Sequence, residues 1–185
     1  MHNKRIFCTA LCGIISAASV VILIISSIIP FSSYSAPALA GIICAAAVIE
    51  AGNKYAFCVY LSVSVLSFLI VPDKEAALLY AVFFGYYPIA KQLIESRIKN
   101  HILQITAKIA LFCTAACLFY FCAVAVLGIP SDEFNIGRIN LPLLFLAAGI
   151  IVFIIFDYAF TSLITIYLNF IRKFIIKNDN NSHFF

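Results

Sequence analysis

The sequence predicts an all-α, polytopic integral membrane bundle of six transmembrane helices, with both termini in the cytoplasm. Three observations predict it: the composition, the spacing of apolar runs, and the placement of basic residues. Hydrophobic residues make up 64% of the 185-residue chain and charged residues 11%. Ordinary globular proteins carry roughly 45–50% and about 25%. So few charges cannot cover the surface of a water-soluble domain this size. Lipid tolerates the excess, because apolar side chains against acyl tails lose nothing.

The first apolar run, Ile6–Ile29, follows Lys4 and Arg5 and stops at Pro30. Ala38-Leu39-Ala40 resembles a signal-peptide cleavage site, but the run is 24 residues long. A signal peptide's apolar region is usually about 7–15 residues, so this run reads as a retained first span. The uncharged stretch Phe31–Ala36 reads as a loop. The second span covers about 37–51 and carries Glu50 at its end. Gly52-Asn53-Lys54 reads as a tight turn before a third span over about 55–71. In the next turn, Pro72-Asp73-Lys74-Glu75, Asp73 is a good N-cap and Glu75 suits a helix N-terminus.

The fourth span covers about 76–92 and includes Phe83-Phe84-Gly85-Tyr86-Tyr87-Pro88, where Pro88 removes a backbone hydrogen bond and predicts a kink. Ile94, Ile98, Ile102 and Ile105 recur at helical spacing. The segment Lys91–Lys108 is therefore expected to continue span four and then lie in the interface. Span five covers about 109–127, and a loop carrying Asp132, Glu133 and Arg138 leads to span six, about 141–170. The chain reads as one transmembrane domain, residues 1–185, without a repeat.

The basic residues orient this layout. With the N-terminus inside, ten of the twelve fall at cytoplasmic ends: Lys4, Arg5, Lys54, Lys91, Arg97, Lys99, Lys108, Arg172, Lys173 and Lys177. Only Lys74 and Arg138 fall outside. The positive-inside rule expects this distribution, and a five-span layout scrambles it. The bilayer of the cell membrane is the expected partner. Basic residues confined to helix ends do not make a nucleic-acid surface.

The seven cysteines all lie in apolar segments and form no CxxC, so neither a disulfide framework nor a zinc site is indicated. His2, His101 and His183 are isolated. No Ser/His/Asp set, P-loop or HExxH is present, so neither an enzyme nor a cofactor is expected.

The informative residues are charges that helical rise places deep. Asp157 lies roughly 24 Å along span six from Leu141, near the middle of a hydrocarbon core about 30 Å thick or slightly cytoplasmic of it. Thr161 and Thr165 follow at i+4 and i+8 on the same face, flanked by Tyr158 and Ser162. The same ruler puts Lys91 and Glu50 at similar depth, and makes Lys91 the natural counter-ion of Asp157. Such charges form either a polar coupling site or an ion pair that fixes helix register. Lys91-Glu95-Lys99 adds an i, i+4 ladder, expected on a solvated face. Gly13 and Ala17 on span one form a small-xxx-small pair, a helix-packing or partner face on which internal packing is expected ahead of a partner surface.

In size, span number and a Gly13-x-x-x-Ala17 pair, the chain resembles the substrate-binding S-components of energy-coupling factor vitamin transporters. In those proteins, small residues on the first helix, often an Ala-x-x-x-Ala pattern, contact a transmembrane coupling subunit. Gly13 departs from that pattern. The resemblance covers the architecture of the whole chain. It implies a small-molecule-binding subunit that works with a coupling subunit and ATPases. It also implies a ligand site in the outer half, where Tyr34, Tyr80, Asp132, Glu133 and Arg138 are the candidates. The stretch from Pro72 to Pro88 resembles small bacterial membrane proteins of unassigned function. The alternative is a non-catalytic scaffold resembling the MreD class of cell-shape proteins.

Overall fold

The computed structural model describes residues 2–29, 32–127 and 141–171. Every regular element among them is helical: α1 (His2–Ser26), α2 (Ser32–Glu50), α3 (Asn53–Ile70), α4 (Lys74–Leu79), α5 (Tyr87–Arg97), α6 (His101–Leu127) and α7 (Leu141–Ile166). A π-helical turn, Tyr80–Phe84, joins α4 towards α5, and a second one, Tyr167–Ile171, ends α7. Among the described residues, six helical stretches are long and apolar enough to cross a membrane, with Lys74–Arg97 counting as one. The chain divides into two compact units, Met1–Leu146 and Ala147–Phe185.

In the first unit, α1 packs on α2 and α3, and α2 also packs on every segment of span four. Leu23, Ala40, Cys44, Ala47, Val59, Val63 and Tyr80 are buried in one core. Small residues dominate the buried face of α2: Ala36, Ala40, Gly41, Cys44, Ala45 and Ala47. They let neighbouring backbones approach closely, which is the main source of helix association where lipid removes the hydrophobic drive. The complementary faces carry Ile14, Val21, Leu61, Leu69 and Phe121, all exposed. An apolar outer surface of this kind suits contact with lipid.

The turns are specified locally. Gly52 has φ +88°, the left-handed region that favours glycine, and reverses the chain between α2 and α3. The Asp73 carboxylate accepts from Ala76 N at 3.1 Å and caps α4. Lys74 Nζ donates to Phe68 O at 2.7 Å and Val71 O at 2.9 Å, satisfying carbonyls left open at the end of α3.

Three expectations from the sequence are corrected. α2 begins at Ser32 rather than Pro37, and Pro37 sits inside the helix. The carbonyl freed by Pro37 belongs to the first turn, so the proline breaks no interior ladder. The segment after Lys91 does not run on as an interfacial helix. α5 ends at Arg97, and α6 begins at His101 after a three-residue turn. The Asn100 side chain caps α6 by accepting from Ile102 N at 3.1 Å, and Gln104 Nε2 reaches back to Ile98 O at 2.7 Å. Residues 98–100 are thus a turn between two spans and 101–108 already belong to the next one, which the isoleucine spacing cannot reveal because it continues across the turn. The third correction concerns α1. Gly13 and Ala17 are exposed, and a Cβ on Gly13 would meet nothing within 4 Å. The small-residue pair therefore points away from the bundle.

Candidate functional site

Span four is a broken helix, and the break is built from sequence upward. Pro88 has no N–H and its ring excludes the carbonyl four residues back, that of Phe84. The chain answers with a wider turn: Gly85 N donates to Tyr80 O at 2.7 Å, a π-type bond. The helix resumes beyond it, with Ile89 N and Ala90 N both on Tyr86 O, at 3.1 and 3.0 Å. A π-turn displaces the regular bonding of nearby carbonyls, and inside a membrane each must find a partner. The Tyr60 hydroxyl of α3 donates to Ala81 O at 2.9 Å. The Phe84 carbonyl faces α2 at Gly41, where a Cβ would lie 2.6 Å from the oxygen. Only glycine permits that approach, and its Cα–H supplies a weak donor.

Gly85 plays the matching part on the other side. A Cβ there would lie 2.7 Å from the Tyr60 ring and 2.8 Å from the Tyr80 ring. The two tyrosines fill the space beside the break, and Tyr86 meets Tyr60 edge-on at 6.2 Å. Phe83 stacks on Tyr87 and meets Phe112 of α6 edge-on at 5.4 Å. Aromatic packing of this kind fixes the break from both flanks. Replacing Tyr60 with Phe keeps the ring and leaves Ala81 O without its hydroxyl donor. The expected loss is about 1–3 kcal/mol of stability, read by reversible unfolding of the detergent-solubilised protein. An unchanged stability would show that the hydroxyl does not hold the break.

Nearer the α5–α6 turn lies an ionic cluster. Lys91 is 2% exposed and Lys108 is 6% exposed. Both ammonium groups meet one carboxylate oxygen, Glu95 Oε1, at 3.3 Å and 2.7 Å. Helical rise places Lys91 roughly 9 Å before the end of α5 and Lys108 roughly 10 Å after the start of α6. Lysines this deep in an apolar span require such a partner. The expected solvated ladder is corrected here. Lys91 is buried, and the second lysine on Glu95 is Lys108 of the next span. Folding the hairpin at 98–100 makes this pair, which no i, i+4 rule finds.

Glu50 closes α2 half-buried, on a helix that packs against α5. Tyr34 is exposed and donates to Glu75 Oε1 at 2.9 Å, tying α2 to α4. Tyr80 is wholly buried in the core and is not part of an outer loop. Asp132, Glu133 and Arg138 lie outside the described residues. In the second unit, Thr161 and Thr165 donate to the carbonyls of Asp157 and Thr161, at 2.8 and 2.9 Å. These hydroxyls serve their own helix and face outward, while Asp157 is half-buried. The sequence reading missed Gly41, Tyr60 and Lys108 as partners. Only Lys108 left a local signal, the Asn100 cap that starts a new helix.

Comparison of the chain with protein-family models, with curated proteins and with solved structures finds no match.

Proposed function

We propose that the chain is a small multi-pass subunit of the cell membrane, with six spans and both ends cytoplasmic, that binds or moves a small molecule together with partner subunits. The observation that carries this reading is the interrupted span four. Irregular backbone at membrane depth is kept where it is buried in protein or lines a path, and discontinuous helices form the substrate and ion sites of many transporters. Maintaining the break engages Gly41, Tyr60, Gly85 and Pro88 from three spans, when an uninterrupted helix would need none of them. The ionic cluster on Glu95 supports the same reading, since a purely structural bundle gains little from buried lysines. Without a nucleotide-binding motif, energy for transport would come from a partner, such as a transmembrane coupling subunit with ATPases.

Topology is tested by reporter fusions. Fusions at Asn53, Asn100 and Asp179 should score inside, and those at Ser33 and Asp132 outside. An outside score at Asp179 would remove the orientation. The role is tested by native mass spectrometry of the purified complex, which should show a bound metabolite or co-purifying ATPase and coupling subunits.

A second reading, a scaffold resembling the MreD class, is favoured by one observation: the outward-facing Gly13 and Ala17 of α1. A Cβ on Gly13 meets nothing within 4 Å and the position is exposed, so Gly13→Leu should leave the melting temperature within 2 °C or so, the scale of a surface change. If that face seats a partner helix, the same substitution should strip the partner during purification. Loss of cell-wall proteins from the wild-type complex on Gly13→Leu, with no metabolite bound, would establish the scaffold in place of transport.

A further inference from the structure

Two polar side chains in the core of the first unit are fully buried without a well-formed hydrogen bond: the hydroxyls of Ser19 and Tyr80, both 0% exposed. A third, Ser64, is 9% exposed and lies beside the Tyr60 hydroxyl without a well-formed bond. They come from three different spans and share one level. Ser19 lies roughly 10 Å before the end of α1, Ser64 roughly 9 Å before the end of α3, and Tyr80 roughly 9 Å after the start of α4. Those three helix ends meet on one side of the bundle, where Asp73 N donates to Ser27 Oγ and Lys74 caps α3. Ser19 sits between Ile15 and Leu23 on the α1 stripe that joins the same core as Tyr80.

An unbonded hydroxyl in a packed apolar core is a net cost, and Ala or Phe would fill the same space without it. Three such groups at one level call for a state in which they are bonded. Tyr80 is also the first residue of the π-turn, with its ring against Gly85 at the break. Its hydroxyl lies by the thiol of Cys44, a weak acceptor. Movement of span four about Gly85 would draw Tyr80 away from α2 and open the level to a partner from outside.

We propose that span four opens at its break and exposes a polar layer of Ser19, Ser64 and Tyr80 that binds a small, neutral, hydrogen-bonding solute. The layer contains no charged side chain among the described residues. Lys91 and Glu95 lie towards the other end of span four, with Lys108 of the next span beside them, and Asp73 and Glu75 lie at the rim. A neutral solute therefore fits and an ion does not. Hydroxyls can donate and accept, which suits carbonyl or hydroxyl groups on the solute. The inference rests on the transport reading and gives it a site.

Cys44 is a built-in reporter, because it is wholly buried against Tyr80. The full chain is prepared in lipid nanodiscs with Cys44 as its single cysteine, and its melting temperature is compared with that of the wild type. N-ethylmaleimide, itself small, neutral and rich in carbonyl acceptors, should alkylate Cys44 in the folded protein. A negatively charged sulfonate thiol reagent should react at least tenfold more slowly. Tyr60→Phe, which loosens the break, should speed alkylation severalfold. Tyr80→Phe and Ser19→Ala should slow it severalfold, and in the wild-type background should leave the melting temperature unchanged or raised. The proposal is overturned if Cys44 reacts only after denaturation, or if the charged reagent reacts equally fast. It is overturned too if Tyr80→Phe and Ser19→Ala lower the melting temperature, since their hydroxyls would then be bonded in the closed bundle. A closed Cys44 together with a bound metabolite in the native complex would remove this site and leave the transport reading standing.

Discussion

Gly41→Ala is expected to destabilise the protein by about 3 kcal/mol, the upper part of the range for forcing extra volume into a packed core. The new Cβ would stand 2.6 Å from Phe84 O and 3.1 Å from Phe84 C. Both are backbone atoms of the interrupted span, so no side chain can swing aside to relieve the overlap. Either α2 separates from the π-turn, or the Phe84 backbone shifts out of its place in the break. Gly85→Ala should also destabilise, by about 1–3 kcal/mol, because its overlap is shared between two rings and Tyr80 O. Gly13→Ala is the control. It meets open space, and it should be neutral or slightly stabilising, since Ala is the better helix former by about 1 kcal/mol. Reversible denaturation of the three variants ranks them. Equal behaviour of Gly41→Ala and Gly13→Ala would show that α2 does not press on the break.

Glu95→Gln is expected to cost about 2–3 kcal/mol, whereas Lys91→Met should cost about 1 kcal/mol or less. The asymmetry follows from geometry. Removing the carboxylate takes a shared partner from two buried ammonium groups at once, and breaking a buried pair by removing one partner typically costs about 3–5 kcal/mol. The Glu95 side chain is 40% exposed, so water offsets part of that loss. Lys91→Met removes one buried charge, keeps an apolar stem of similar length, and leaves Glu95 on Lys108 at 2.7 Å. The effects should not add. Lys91→Met and Lys108→Met placed together on Glu95→Gln should recover much of the loss, because the charges that needed the carboxylate are gone. A thermal-unfolding cycle with coupling under about 0.5 kcal/mol would mean that the three groups act independently.

Both predictions concern contacts between spans, and there the sequence and the structure contribute differently. Composition and apolar run length were enough for an all-helical chain with six stretches able to cross a membrane, because a spanning backbone in lipid has few options and a helix satisfies itself. Local chemistry was enough for the Gly52 turn and for the Asp73 cap, since each depends on residues within one turn of chain. Pro88 announced a defect in span four for the same reason.

What happens at that defect was settled by tertiary structure. Tyr60 lies 21 residues from the carbonyl it serves, and Gly41 is more than 40 residues from the one it admits. Neither has a local signature: a tyrosine or a glycine in a membrane helix is compatible with many neighbours. The Gly13 face likewise needed the fold, because small residues at i and i+4 mark a stripe but not the direction it points. The clearest case is Lys91. Rise per residue gave only an expected depth, and its contact with Glu95 beside Lys108 depended on where the chain turned back. The turn at 98–100 brings Lys108 of the next span onto Glu95. Helical periodicity describes one helix at a time, while partners across a bundle are chosen by how the helices fold against one another.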